Sequence, residues 1–171
     1  MAIWHPEQDW PDWAVDSLCA NAANWLEPYL MGITKNEELK KLNLSQFLYH
    51  SLSFEQQQVL EKKAPSCLQV PSGSEVTISY QEDGGAPRLA VRLQELFGML
   101  ETPKVNEGRI PILIELLSPG YKPVLLTQDL KSFWTSGYFE VKKELKQRYP
   151  KHSWPDDPIK AVAVRGVKKR E

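Results

Sequence analysis

The 171-residue chain carries 42% hydrophobic and 25% charged residues, the values of a globular domain and not of a disordered segment. Its length suits one domain, or one with a small appendage. No apolar run approaches the ~20 residues that span a bilayer. The polar, acidic start from Met1 to Trp13 lacks the layout of a secretory signal, and Cys19 and Cys67 form neither a disulfide framework nor a metal pattern. The expectation is a reduced, soluble, cytoplasmic protein with no membrane contact.

The formal net charge of −1 hides a polarity. Residues 1–64 hold five Lys/Arg against nine Asp/Glu, residues 65–130 five against eight, and residues 131–171 eleven against five. A basic end on an acidic chain points either to an anionic partner or to a solvated tail.

Residues 1–64 read as a helical segment. Val15, Leu18, Ala22, Trp25 and Tyr29 recur at steps of three and four, and Pro28 interrupts them. Thr34 with Glu37, and Ser53 with Gln56, carry the spacing of capping boxes. From Leu68 the period falls to 2. Val76, Ile78 and Tyr80 alternate, Asp83-Gly84-Gly85 turns the chain, and Leu89, Val91 and Leu93 return it as a hairpin. A helical turn over Leu93–Phe97 ends at Gly98. Ile110 to Leu116 alternates again, Ser118-Pro119-Gly120 turns, and Val124–Thr127 returns. Four or five short strands suit a small antiparallel barrel over 65–127. The remainder, 128–171, reads as a long helix carrying Leu130, Phe133, Trp134, Tyr138, Val141 and Leu145 on its apolar face, then an extended, proline-punctuated basic tail. Trp134 and Tyr138 are expected in the core. Lys131, Lys142 and Lys146 are expected within an arc of roughly 60° beside that face. The three segments are expected to pack as one unit.

Motifs for autonomous catalysis are missing. There is no phosphate loop of the form G-x-x-x-x-G-K-S/T and no G-x-G-x-x-G fingerprint. Ser72-Gly73-Ser74 lacks the outer glycines of a nucleophile elbow and reads as a turn. His5, His50 and His152 have no partners at metal-ligand spacing. Asp156-Asp157 reads as a solvated turn, and Asn43-Leu44-Ser45 as a chance sequon. What remains is basic and aromatic. In Arg148-Tyr149-Pro150-Lys151-His152-Ser153-Trp154, cations could neutralise phosphates and flat rings could stack on unpaired bases. Alternatively, Tyr149 and Trp154 pin the tail to the core. Arg88 and Arg92 beside an apolar strand face are either phosphate contacts or ordinary edge-strand charges.

Several blocks resemble the C-terminal region of HrpB-type bacterial helicases. They run in order: Trp25-Leu26-Glu27-Pro28-Tyr29-Leu30-Met31-Gly32; Ala64-Pro65 with Val70-Pro71-Ser72-Gly73-Ser74; Leu89-Ala90-Val91-Arg92-Leu93-Gln94-Glu95-Leu96-Phe97-Gly98; Leu116-Leu117-Ser118-Pro119; Thr127-Gln128-Asp129-Leu130 with Phe133-Trp134; and Arg148-Tyr149-Pro150-Lys151-His152 with Trp154-Pro155 and Asp157-Pro158. Ser79, Gln147 and Ser153 depart from the pattern. The resemblance implies a C-terminal accessory fragment of a DEAH-box ATP-dependent RNA helicase, with the ATPase motifs upstream. The fragment would need no cofactor itself, and the parent would use ATP and Mg. It also implies that residues 68–127 form an oligonucleotide-binding (OB-like) barrel.

The resulting expectation is an α+β fold that grips single-stranded RNA, or DNA, without sequence readout and without catalysis of its own. Arg88, Arg92, Lys142, Lys146, Arg148 and Lys151, with the terminal Lys168-Lys169-Arg170, would meet phosphates. His152 lies in the same run, and Tyr149 and Trp154 would stack. The rival expectation is a docking module for the upstream motor domains or another protein.

Overall fold

The computed structural model describes residues 1–167, so the terminal Lys168-Lys169-Arg170 lies outside the described residues. The chain divides into two compact units, Met1–Glu61 and the rest from Lys62 onward.

The first unit is all helical: α1 (Val15–Ala20), α2 (Ala22–Trp25), a 3-10 turn (Glu27–Tyr29), α3 (Asn36–Leu39), α4 (Leu44–Ser51) and α5 (Phe54–Lys63), whose last residues enter the second unit. Helices this short gain little from propensity and depend on caps and contacts. Asn43 caps α4 by accepting from Gln46 N at 3.2 Å, which gives the chance sequon a structural role. Ser53 and Gln56 form the expected reciprocal box, with Gln56 N donating to Ser53 Oγ (3.2 Å) and Ser53 N to Gln56 Oε1 (3.0 Å). The other box is shifted by one residue, because Glu38, not Glu37, accepts from Thr34 N and Lys35 N. Tyr29 stacks on Phe47 with ring centroids 3.7 Å apart. His5 and Leu52 are buried here, whereas Val15, Met31 and Phe54 are exposed.

The second unit is α+β. Five strands form one mixed sheet in the order β1 (Cys67–Gln69), β2 (Glu75–Ser79), β3 (Arg88–Arg92), β6 (Leu113–Leu117), β7 (Pro123–Thr127). β4 (Lys104–Val105) and β5 (Ile110–Pro111) make a separate hairpin. The expected hairpins are present: Ile78 pairs with Leu89 and Leu116 with Leu125, both antiparallel. The antiparallel barrel is not. β3 and β6 run parallel, Arg88 facing Leu113 and Arg92 facing Leu117. Segment 93–112, with a 3-10 turn (Leu93–Leu96) and the β4–β5 hairpin, is long enough to return the chain to the same end of the sheet, as a parallel pair requires. The order is open, with β1 and β7 at its edges, so the sheet does not close.

One sheet face supplies the core. Ile78, Leu89, Val91, Ile114 and Leu116 are buried together with Leu93, Leu96 and Phe97 from the turn. The C-terminal helix packs on this group at Phe97. It runs through α6 (Leu130–Ser132), a π-turn (Phe133–Gly137) and α7 (Tyr138–Arg148). Asp129 caps it by accepting from Ser132 N at 2.9 Å. Trp134 and Tyr138 are buried as expected and meet Phe97 at centroid distances of 6.1 Å each. Trp134 Nε1 donates to Met99 O at 2.7 Å. The π-turn admits an extra residue and rotates the helix beyond it by about 100°, so Lys131 does not continue the face of Lys142 and Lys146.

The expected extended basic tail is also corrected. Past Tyr149 the chain folds back over the sheet unit through turns. Tyr138 Oη donates to Pro155 O (2.8 Å), Gly98 N to Pro158 O (3.0 Å), Val164 N to Gln94 O (3.0 Å) and Arg165 Nε to Ser72 O (3.1 Å). Over 149–167 the cations Lys151, Lys160 and Arg165 are opposed by Asp156 and Asp157, and the surplus lies elsewhere.

Candidate nucleic-acid interface

The parallel pair puts the carboxyl ends of β3 and β6 side by side. Arg92 ends β3, and the Ser118–Lys122 turn leaves β6 beside it. Ser118 closes that turn, its N donating to Lys122 O (2.8 Å) and its Oγ accepting from Lys122 N (3.1 Å). The turn holds Tyr121 at φ 60° with 65% of its surface exposed. An aromatic residue in the left-handed region costs about 1–2 kcal/mol, and such strain concentrates at functional sites.

Arg92 is locked in place. Its Nε and Nη2 donate to Glu95 Oε1 at 2.8 and 2.7 Å. Glu95 Oε2 accepts from Ser72 Oγ (2.8 Å) and from Ser74 Oγ. Burial alone would raise the Glu95 pKa, but the Ser74, Ser72 and Arg92 donors outweigh it and hold the carboxyl below its ordinary value. Anchored this way, the Arg92 guanidinium sits 4.9 Å from the centroid of the Tyr121 ring.

The tail supplies the rest. Tyr149 meets His152 edge-on at 6.0 Å. Gly120 makes room for Tyr149: a Cβ there would lie 2.6 Å from the phenol oxygen. Burial, then the nearby Arg92 charge, pushes the His152 pKa down. Arg165 binds Ser72 O through Nε, and its Nη2 lies where a Cβ on Gly73 (φ +77°) would come within 3.2 Å. Arg92, Gln94, Pro119, His152 and Arg165 line one crevice. Gln94 is 3% exposed, and its Nε2 is buried without a hydrogen-bond partner.

The structure thus brings Arg92, Tyr149 and His152 together and leaves the other expected residues apart. Arg88 pairs with Glu115 at 3.2 Å. Lys142, 12% exposed, donates to Asp156 (2.6 Å) and to Pro155 O (2.9 Å), so it fastens the tail, while the Asp156 side chain itself is fully exposed, in keeping with the solvated turn. Trp154 is half-buried, and its Nε1 donates to Tyr149 O at 2.9 Å at the end of the helix. Lys146, Arg148 and Lys151 are exposed. Tyr121, Gln94 and Arg165 were not singled out by the sequence. The one available signal was the large aromatic directly after Ser118-Pro119-Gly120. Among the described residues no group of three or more His, Cys, Asp or Glu could hold a metal ion, and no helix is long and apolar enough to cross a membrane.

Residues 25–158 match the family model described as ATP-dependent helicase C-terminal (HrpB_C). The chain belongs to this family. It is 45% identical over 168 residues to the ATP-dependent RNA helicase HrpB of Escherichia coli (strain K12), covering 98% of this chain and 21% of that protein. A crystal structure of the E. coli DExH-box NTPase HrpB superposes with a TM-score of 0.81 at 43% identity, over 96% of this chain and 20% of that one. A second, of the Escherichia coli DEAH/RHA helicase HrpB, gives 0.68 at 42% identity, over 90% and 19%. The chain therefore spans about a fifth of the length of the relatives it matches. As a member of the HrpB_C family it corresponds to their C-terminal region.

Proposed function

We propose that this chain is the accessory region with which a cytoplasmic ATP-dependent RNA helicase grips single-stranded RNA, without reading sequence and without catalysing a reaction itself. ATP and Mg would be handled by upstream motor domains, on which this region packs. The observation that carries the reading is the meeting of Arg92, Tyr121, Tyr149, His152 and Arg165 at the ends of one parallel strand pair. Cations there can neutralise phosphates, and an exposed ring can stack under any base, because every base has a π-face.

Fluorescence anisotropy of the chain with a short unstructured RNA across a salt series tests this. The expected result is saturable binding whose log K falls with log salt by about 0.7 per phosphate contact. No binding at low salt would overturn it. The second reading is a docking role, for which the exposed Met31 and Phe54 of the first unit are the side chains to test. That reading predicts that Met31→Lys and Phe54→Lys weaken association with the motor domains while RNA binding persists.

A further inference from the structure

We propose that the outward face of α7 receives a single strand, one base stacking on Phe139 and the adjoining phosphates meeting Lys143 and Lys146. The inference rests on the single-strand-binding reading and deepens it by adding a contact on a different element from Arg92 and Tyr121. Phe139 is 50% exposed although it stands next to the buried Tyr138, whose ring it meets edge-on at a centroid distance of 5.6 Å. Phenylalanine is a middling helix former, so neither propensity nor burial accounts for a ring at this position. Among the described residues no cation lies over that ring. Lys142 Nζ lies 5.8 Å from the Tyr138 centroid instead, and directs its hydrogen bonds to Pro155 O and Asp156. At about 100° per residue, Phe139, Lys143 and Lys146 fall within an arc of roughly 60°, while the acids of the helix, Glu140 and Glu144, lie roughly 100° and 140° round from Phe139. Both lysines are exposed, and among the described residues neither forms an ion pair. Lys146 acts on Asp156 only as a longer-range charge. Cα–Cβ bonds on a helix lean toward its N-terminus, so both lysine stems extend back toward the ring.

Charge and shape together select the occupant. Two unpaired ammonium groups favour a polyanion, and a bare ring favours a flat partner. Single-stranded nucleic acid offers phosphates and unstacked bases in alternation, and every base has a π-face. Lys143 and Lys146 are neighbours at i,i+3, with Cβ atoms about 5–6 Å apart, so one backbone can pass both. A duplex brings the phosphates but keeps its bases stacked on each other, out of reach of the ring. An acidic protein segment brings carboxylates without a flat ring beside each.

The test is photocross-linking of the 171-residue chain to oligouridine carrying 5-iodouridine, with anisotropy titrations of the same strand. The expected adduct is on Phe139. Phe139→Leu keeps an apolar side chain at this exposed position and removes the flat ring, so it should leave Tm unchanged and weaken binding about 10-fold, the stacking of one base. Phe139→Trp should retain the parent affinity. Lys143→Gln together with Lys146→Gln should lower the salt slope by about 1.4, two contacts at about 0.7 each, whereas Phe139→Leu should leave the slope unaltered. Saturable RNA binding with no adduct on Phe139 and full affinity in Phe139→Leu overturns the α7 contact and leaves the RNA reading standing. No binding by the parent chain at low salt overturns both. Polyglutamate binding that falls in Phe139→Leu while RNA binding does not assigns the face to an acidic protein and overturns the proposal.

Discussion

The Arg92 guanidinium stands over the ring of Tyr121, a residue the Ser118–Lys122 turn holds at positive φ. The ring is 65% exposed, so one face meets the guanidinium while much of it meets solvent. Replacing Tyr121 by glycine relieves the backbone and removes the platform together. We expect Tyr121→Gly to leave thermal stability within about 1 kcal/mol of the parent, since strain relief offsets glycine entropy and the lost cation–π contact. RNA affinity should fall by about 1–3 kcal/mol. Anisotropy and thermal unfolding on one preparation check this, and parallel losses in both would refute a binding role for the ring.

Gly120 and Tyr149 form a steric pair. A methyl at 120 meets the phenol oxygen at 2.6 Å, so Gly120→Ala should destabilise the chain by about 1–3 kcal/mol, as overpacking does. Removing the hydroxyl with Tyr149→Phe in the same chain should restore most of that loss. A double-mutant cycle by urea unfolding measures it, and additive effects would show that the two do not collide.

Two groups at the interface make stability depend on pH in the same direction. Glu95 has a depressed pKa in the folded chain, so its contribution is complete above its ordinary value of 4.5 and is lost as pH falls through the folded value. His152 is also depressed, and folding favours its neutral form, so stability drops as pH falls below about 6.5. The proposed RNA binding is expected to run the other way, because protonated His152 adds a positive charge beside Arg92. RNA affinity should therefore rise on acidification while Tm falls. His152→Asn should flatten the affinity profile between about pH 5 and 7, and Glu95→Gln should flatten the acid limb of stability. Unchanged profiles in these variants would assign the titrations to other groups.

The lysines of the C-terminal helix divide by role. Lys142 joins the helix to Pro155 O and Asp156, so Lys142→Glu, which loses that donor and sets two carboxylates together, should lower Tm. Lys146, Arg148 and Lys151 are exposed, so their reversal to Glu should leave Tm unchanged. If they line the strand's path, the salt slope falls by about 0.7 for each. An unaltered slope would remove that edge from the interface.

What could be read from the sequence was local. The hairpins around Asp83-Gly84-Gly85 and Ser118-Pro119-Gly120 declare themselves because the turn residues lie between the strands they join. The parallel pairing of Arg88–Arg92 with Leu113–Leu117 does not, because alternation along each strand is the same whichever neighbour it takes, and an antiparallel barrel satisfies the same pattern. The site obeys this division. Arg92, Tyr149 and His152 were visible as chemistry in blocks of recognisable sequence. Gln94 sits between Leu93 and Glu95 in what reads as an ordinary helical turn, and Arg165 lies far along the chain. Their meeting depends on the tail folding back.

The parallel seam also fixes the order in which the molecule can be assembled. β2–β3 and β6–β7 each close over short loops, whereas β3 meets β6 only after segment 93–112 has been folded away between them. Arg92 and Tyr121 belong to opposite sides of that seam. We expect the Arg92–Tyr121 face, proposed above to hold RNA, to form late in folding, because it joins residues from both sides of the seam. In refolding, capture of labelled RNA should coincide with protection of the β3–β6 amides. Capture before that protection would mean that the grip lies elsewhere.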